Sequence, residues 1–387
     1  MLADTDAGSV ITAAQSGAQW GYRLLLLQLI LAPILYVVQE LTVRLGAVTG
    51  KGHAELILQN YGRFWAWFSV STLVVSCIGA LLTELSGLAG VGSLMGVSPA
   101  TTMIVVVGAL LLMAFTGSYQ SVERIAIAVG AFELVFLAVA WVAGPNRAEL
   151  VAGAVDIPWR DPKYLYLVSA NIGAVIMPWM VFFQQSSVIE KGLTTDDLPA
   201  ARIDTALGAV LTQLIMAAVV VATAATLGKA GQGGSLDTVE QIAQAITPYL
   251  GERWGKIAFG LGMSGAALVA TIVVTLTAAR TLAEVLGAKH TLEHEPRDAP
   301  WFYGVYTIAL VVGALIVASG ADLVSISVGV QVMNALLLPI VLGFLYLLAR
   351  TLPEPYRIKG AWAIVSGIVI AATVVFGVYS GVAGLFG

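Results

Sequence analysis

The chain has 387 residues, 58% of them hydrophobic and only 11% charged, with a mean hydropathy of +0.90 and a formal charge of −4. That balance excludes a soluble globular domain. The single cysteine, Cys77, lies in an apolar run, which rules out an internal disulfide and argues against a thiol redox centre.

Met1–Ser9 has no cationic and apolar pattern of a secretory signal. The first feature is an interrupted segment, Asp6-Ala7-Gly8-Ser9, which leads into an apolar stretch. Only five residues precede Asp6, too few for half a spanning helix at about 1.5 Å per residue, so the start of helix one is expected to be missing. Runs of spanning character follow at Leu24–Val38, Phe64–Leu82, Met103–Phe115 and Ile125–Val142. A polar loop from Gly144 to Lys163 carries Pro145, Pro158 and Pro162 as helix breakers. The next stretch, Leu165–Phe183, is apolar but contains Met177-Pro178, and a proline inside a span removes a backbone hydrogen bond. In lipid such freed groups survive only where protein or a water-filled cavity satisfies them.

Five further runs complete the chain: Ala206–Leu227, Ile257–Ala278, Val305–Ala318, Ser325–Leu348 and Ala361–Phe376. Asp237–Leu250 is expected to form a short helix within the longest hydrophilic segment. The pattern predicts an all-α polytopic membrane protein of about eleven helices in one transmembrane domain. Its expected parts are repeat one at about 1–143, repeat two at about 164–350 and an extra helix at about 360–385. A break in the first span of each five-helix group points to an inverted repeat, with a transport site near the midplane between helices 1 and 6. Twelve of the nineteen Lys and Arg residues, Arg44, Lys51 and Arg202 among them, fall on the side of the amino terminus, which is therefore expected in the cytoplasm.

Asp6-Ala7-Gly8-Ser9, followed by Ala18-Gln19-Trp20-Gly21-Tyr22-Arg23-Leu24-Leu25, resembles the first helix of the NRAMP divalent-metal transporters. That family reads Asp-Pro-Gly-Asn, then Gly-Ala-Gln-Tyr-Gly-Tyr-Arg-Leu-Leu at the same spacing. Arg44-Leu45-Gly46-Ala47-Val48-Thr49-Gly50-Lys51 is similar to its Arg-Leu-Gly-x-x-Thr-Gly-Lys loop, and Gly173-Ala174-Val175-Ile176-Met177-Pro178-Trp179 to its Gly-Ala-x-x-Met-Pro-His. Gln331 through Pro339 matches its Gln-x-x-x-x-x-x-Leu-Pro. The matches are collinear over nearly the whole chain.

The resemblance implies a divalent ion held by Asp6, Ser9 and Met177, by carbonyls of Thr5 to Ala7 and of Ala174, and beside Gln331. Gly8, Trp179, Gln184 and Glu133 are the further ion-path candidates. Asp6 would supply the carboxylate a hard cation needs, with unwound carbonyls and water completing the shell. This chain departs from the family at Ser9 for Asn, Ala7 for Pro and Trp179 for His. It has no acid between Phe64 and Thr83, and Trp301, Phe302 and Tyr303 stand where a basic pair opens helix nine. The combination is most like the NRAMP-related magnesium transporter branch, a prokaryotic offshoot, and implies Mg²⁺ and Mn²⁺ uptake across the cell membrane without proton coupling.

Three alternatives stand beside it: a conventional proton-coupled Mn²⁺/Fe²⁺ carrier, a cation-coupled carrier of a small organic molecule, and a non-transporting sensor. Plainer readings also stand for single residues. Met177 fits ordinary apolar packing, Glu40 and Glu133 fit polar pairing between spans, and Asn171, Gln184 and Asn334 fit amide bridges between helices. His290-Thr291-Leu292-Glu293-His294 has zinc-protease spacing but sits in a charged loop with no third ligand in view. No enzymatic activity, resident cofactor, nucleic acid or obligate protein partner is expected; the partners are the metal ion and the bilayer.

Overall fold

The computed structural model describes residues 5–116, 128, 131–227, 234–247, 251–286, 300–319 and 322–387. The His290–His294 segment lies outside them. Among the described residues every regular element is helical.

The first helix, α1 (Ala7–Trp20), starts at Asp6, whose Oδ1 accepts the Ser9 N–H at 2.6 Å. An aspartate there satisfies one of the free N–H groups of the first turn and faces the positive end of the helix dipole. A short 3₁₀ turn, Gly21–Leu24, leads into α2 (Leu25–Thr49). Asn171 donates to Ser16 Oγ at 2.8 Å and accepts from Gln28 Nε2 at 2.5 Å. Those two residues flank the turn, so the chain doubles back and α1 and α2 are separate spans. Next come α3 (His53–Tyr61), α4 (Arg63–Leu94) and α5 (Pro99–Thr116). After a 3₁₀ turn at Ala131–Leu134, α6 (Val135–Ala143) meets α7 (Arg147–Val155) at a 113° bend.

Helix six is broken. In α8 (Pro162–Val175) Asp161 caps the start and a proline occupies the first turn, where no intrahelical N–H is required. The helix ends at Ile176, Met177 is extended with ψ 136°, and Pro178 opens α9 (Pro178–Glu190). A residue before proline is pushed out of the helical region, so Met177-Pro178 places the break where the sequence predicts it. The remaining helices are α10 (Leu198–Leu227), α11 (Val239–Ile246), α12 (Glu252–Leu286), α13 (Pro300–Ala318), α14 (Leu323–Ala349) and α15 (Gly360–Phe386). The expected hydrophilic helix is α11, closed at its start by a reciprocal Thr238–Gln241 capping box.

Among the described residues seven segments are long and apolar enough to cross a membrane. With the bent pair as one span, the two shorter apolar helices α5 and α13, and α1 and α2 taken apart, the spans among the described residues number eleven. Burial ranks them. The most apolar stretch of the α8–α9 segment is 94% buried against 28% for α15, so the broken helix is central and α15 peripheral. Around it α8 packs on α14, α15 and α1; α4 packs on α12 and α14; and α10 lies against both α1 and α2.

Candidate metal-ion site

Two helix ends, α1 from one side and the α8–α9 break from the other, meet in the buried centre of the bundle. Asp6, Ala7, Ser9, Ala174, Met177 and Gln331 are all essentially inaccessible. The direct link is Ser9 Oγ, which donates to the Ala174 carbonyl at 2.9 Å across 165 positions. A serine hydroxyl has lone pairs left after donating, so Ser9 can present its oxygen to a cation while still bonded to Ala174. Gln331 closes the third side from α14. A Cβ on Gly8 would collide with Gln331 Nε2 and Thr83 Cγ2, and one on Gly173 would collide with the Gln331 carbonyl. Glycine at both positions lets α1 and α8 approach α14 closely.

The carboxylates extend this constellation beyond Asp6. Glu84 of α4 is fully buried, and its Oε2 accepts the Ala7 N–H at 3.0 Å while the carboxyl faces Asp6. It stands one residue beyond the acid-free run from Phe64 to Thr83. An acid on a spanning helix is a functional candidate by default, and that signal is present in the sequence. Glu133, on the 3₁₀ turn before α6, is also buried and faces Thr5 and Asp6. Among the described residues no three His, Cys, Asp or Glu side chains stand close enough together to hold a metal by themselves. The place where α1 meets α8 thus brings the Asp6 and Glu84 carboxyls together with the Ser9 hydroxyl and the Ala174 carbonyl, and Gln331 adjoins them at Gly8.

Other expected residues take different places. Met177 is the N-cap residue of α9 and fully buried. Trp179 is buried in the core, its indole N–H without a hydrogen-bond partner among the described residues. Gln184 is half-buried and about 10 Å along α9 from Met177 at 1.5 Å per residue, outside the cluster. Its neighbour Gln185 does the bonding there, pairing with His53 Nδ1 at 3.1 Å and donating to the Lys51 carbonyl at 2.7 Å. Glu40 accepts from Arg44 at 2.5 Å and from Arg202 at 2.9 Å, which makes it an ion-pair anchor between α2 and α10.

At the Trp20 end, α1 is held on further sides. Gln15 donates to Ser235 Oγ at 2.6 Å and accepts from the Leu236 N–H at 2.8 Å. Trp20 packs edge-on against Tyr164, and Arg23 pairs with Asp156 at 2.7 Å.

A family model described as natural resistance-associated macrophage protein-like (Nramp) matches residues 1–383. A divalent metal cation transporter MntH of Klebsiella pneumoniae is 28% identical over 281 residues, covering 70% of this chain and 67% of the relative. The fold is similar to that of a manganese transporter of Eremococcus coleocola, with a TM-score of 0.77 at 17% identity, over 100% of this chain and 86% of that one. It is also similar to MHP1, a nucleobase-cation-symport-1 family transporter in a closed conformation, with a TM-score of 0.60 at 14% identity, over 98% and 88% of the two chains.

Proposed function

Because the chain belongs to the Nramp family, we propose that it carries divalent metal ions across the membrane, Mg²⁺ as well as Mn²⁺, through the cluster between the two helix breaks. The observation that carries this reading is the meeting of Asp6 and Glu84 with the Ser9–Ala174 link in one buried place. Two carboxylates balance the charge of a dication, and the remaining donors are hard oxygens. Replacement of an amide by the shorter Ser9 hydroxyl leaves room for retained water, which suits an ion that dehydrates reluctantly. Met177, buried at the break, offers one thioether against these hard oxygens, so it adds little preference for soft metals. The relatives named for divalent metal and manganese transport support the cargo class. The proposed orientation has the amino terminus in the cytoplasm of a prokaryotic cell, with the Trp20 end of α1 outside.

The test is Mn²⁺ uptake into proteoliposomes, titrated with Mg²⁺. Competition and entry at millimolar Mg²⁺ are expected; if Mg²⁺ does neither, the chain is a transition-metal carrier only.

On coupling, uncoupled flux rests on Trp179, which replaces an ionisable ring beside the break with one that neither gains nor loses a proton at physiological pH. Glu84 favours a second reading. A carboxyl facing Asp6 is a proton acceptor next to the ion, which is what a proton-coupled carrier requires. A pH dye inside the vesicles separates the two.

A further inference from the structure

Gln331 does not stand alone at the site. Its Oε1 accepts from Asn334 Nδ2 at 2.9 Å, and Asn334 Oδ1 accepts from Ser76 Oγ at 2.8 Å. All three side chains are fully buried, and Ser76 reaches them from α4, 258 positions away. With the chain running in this direction the Gln331 amide nitrogen is the group left over. It lies against Gly8, at the start of α1, with no hydrogen-bond partner among the described residues.

An N–H group beside that break suits a site that holds the Asp6 and Glu84 carboxyls. It cannot ligate a cation, because an amide nitrogen has no free lone pair to offer. The oxygen and nitrogen of each amide are nearly the same size, so the chain can run the other way without moving a heavy atom far. Reversed, Gln331 Nε2 donates to Asn334 Oδ1, Asn334 Nδ2 donates to Ser76 Oγ, and the Gln331 oxygen faces Gly8 at the start of α1. The Ser76 proton then turns to the carbonyl four residues back, the usual partner of a helical serine. Both directions contain the same two side-chain hydrogen bonds, so neither leaves an extra buried group unpaired.

We propose that Ser76, Asn334 and Gln331 form a reversible hydrogen-bond relay in which an arriving dication turns the Gln331 oxygen inward. Asn334 and Ser76 are then positioning residues for the ion, although neither touches it. The relay rests on the divalent-ion site proposed above, with Gln331 at its wall. It selects for charge: a dication favours the oxygen-in direction, and the ion-free site with its carboxylates favours the N–H-in direction. The leftover amide group thus becomes a sensor of occupancy.

Mn²⁺ binding by the purified full chain, followed by isothermal titration, tests the relay. Gln331→Leu and Asn334→Leu are each expected to weaken binding about tenfold, and Ser76→Ala about threefold, as for loss of a buried hydrogen-bonded partner. Asn334→Leu and Ser76→Ala are expected to add nothing in a Gln331→Leu background, where both ends of the pair are apolar and folding is least disturbed. If Gln331→Leu weakens binding but the Asn334→Leu effect is independent of it or absent, the relay is overturned and the ion site stands. If neither Gln331→Leu nor Asp6→Ala changes binding, the ion site fails and the relay with it. The reversal has its own readout. In protein labelled with ¹³C at the glutamine side-chain carbonyl, Mn²⁺ should shift one infrared amide band that is missing from Gln331→Leu. A spectrum unchanged by metal rules the reversal out.

Discussion

The backbone N–H of Ala7 donates to the carboxyl of Glu84 at 3.0 Å, which brings the first turn of α1 onto the middle of α4. The contact joins a helix start, with its outward N–H groups, to an acid that faces Asp6. Glu84→Gln keeps an oxygen for the Ala7 N–H but removes the second negative charge from the site. A unit charge about 4 Å from another is worth about 4 kcal/mol at an effective dielectric near 20, and a dication feels twice that. Mg²⁺ flux is therefore expected to fall at least a hundredfold and Mn²⁺ flux by less, since Mn²⁺ gives up water more readily. Equal, unchanged fluxes of both ions would show that Glu84 serves only to anchor α1.

Asp6 has two roles that substitutions can separate. Asp6→Asn retains a capping oxygen, whereas Asp6→Ala also loses the cap, worth about 1 kcal/mol. Both variants are expected to abolish metal uptake, and only Asp6→Ala to lower thermal stability in detergent. Uptake by a folded Asp6→Asn protein at the normal rate would move the ion elsewhere.

Proton movement is expected to be absent. A dye trapped in vesicles should report constant internal pH while Mn²⁺ enters down its gradient. Acidification in step with metal entry, abolished in Glu84→Gln, would establish the coupled reading instead.

His53 makes stability depend on pH away from the site. It is buried against Phe182 at 4.7 Å between ring centres and bonded to Gln185, and burial lowers its pKa from the ordinary 6.5 to about 4. Between those values the unfolded chain binds a proton that the folded chain refuses. The stability from neutral His53 is thus full above pH 6.5 and falls by about 3 kcal/mol on going down to pH 4. Apparent Tm measured across that range should drop more steeply for the native protein than for His53→Gln. Parallel curves would mean that His53 is protonated at little cost.

How far the sequence anticipates this molecule depends on the range of the signal. Met177-Pro178 announces a helix break because proline acts on its immediate neighbours, and the structure has the break at that residue pair. Asp6 followed by an apolar run signals a helix start in the same local way. The long-range pairs carry no such mark. Nothing in the spacing of Ser76 and Asn334 says that they touch, nor that Ser9 finds the Ala174 carbonyl. Glu84 is a different case: an isolated acid in an apolar helix is visible in the sequence, and it is missed only by ending the helix at Thr83. Gln184 is the reverse case, for a place on the helix after the break does not determine which of two successive glutamines turns inward. Helical phase does, and it points Gln185 at His53.

The links that hold α1 bear on how fast such a carrier can turn over. Ser9 and Ser16 are both tied to α8, through Ala174 and Asn171, and Gln15 to the segment before α11, so two neighbours grip one helix of fourteen residues at three places. These bonds are distributed along its length, and none can relax while the others hold. Access to Asp6 from the Trp20 end therefore demands that the grips release together. Such concerted release has a large activation enthalpy, so the transport rate should climb steeply with temperature even where ion affinity hardly changes.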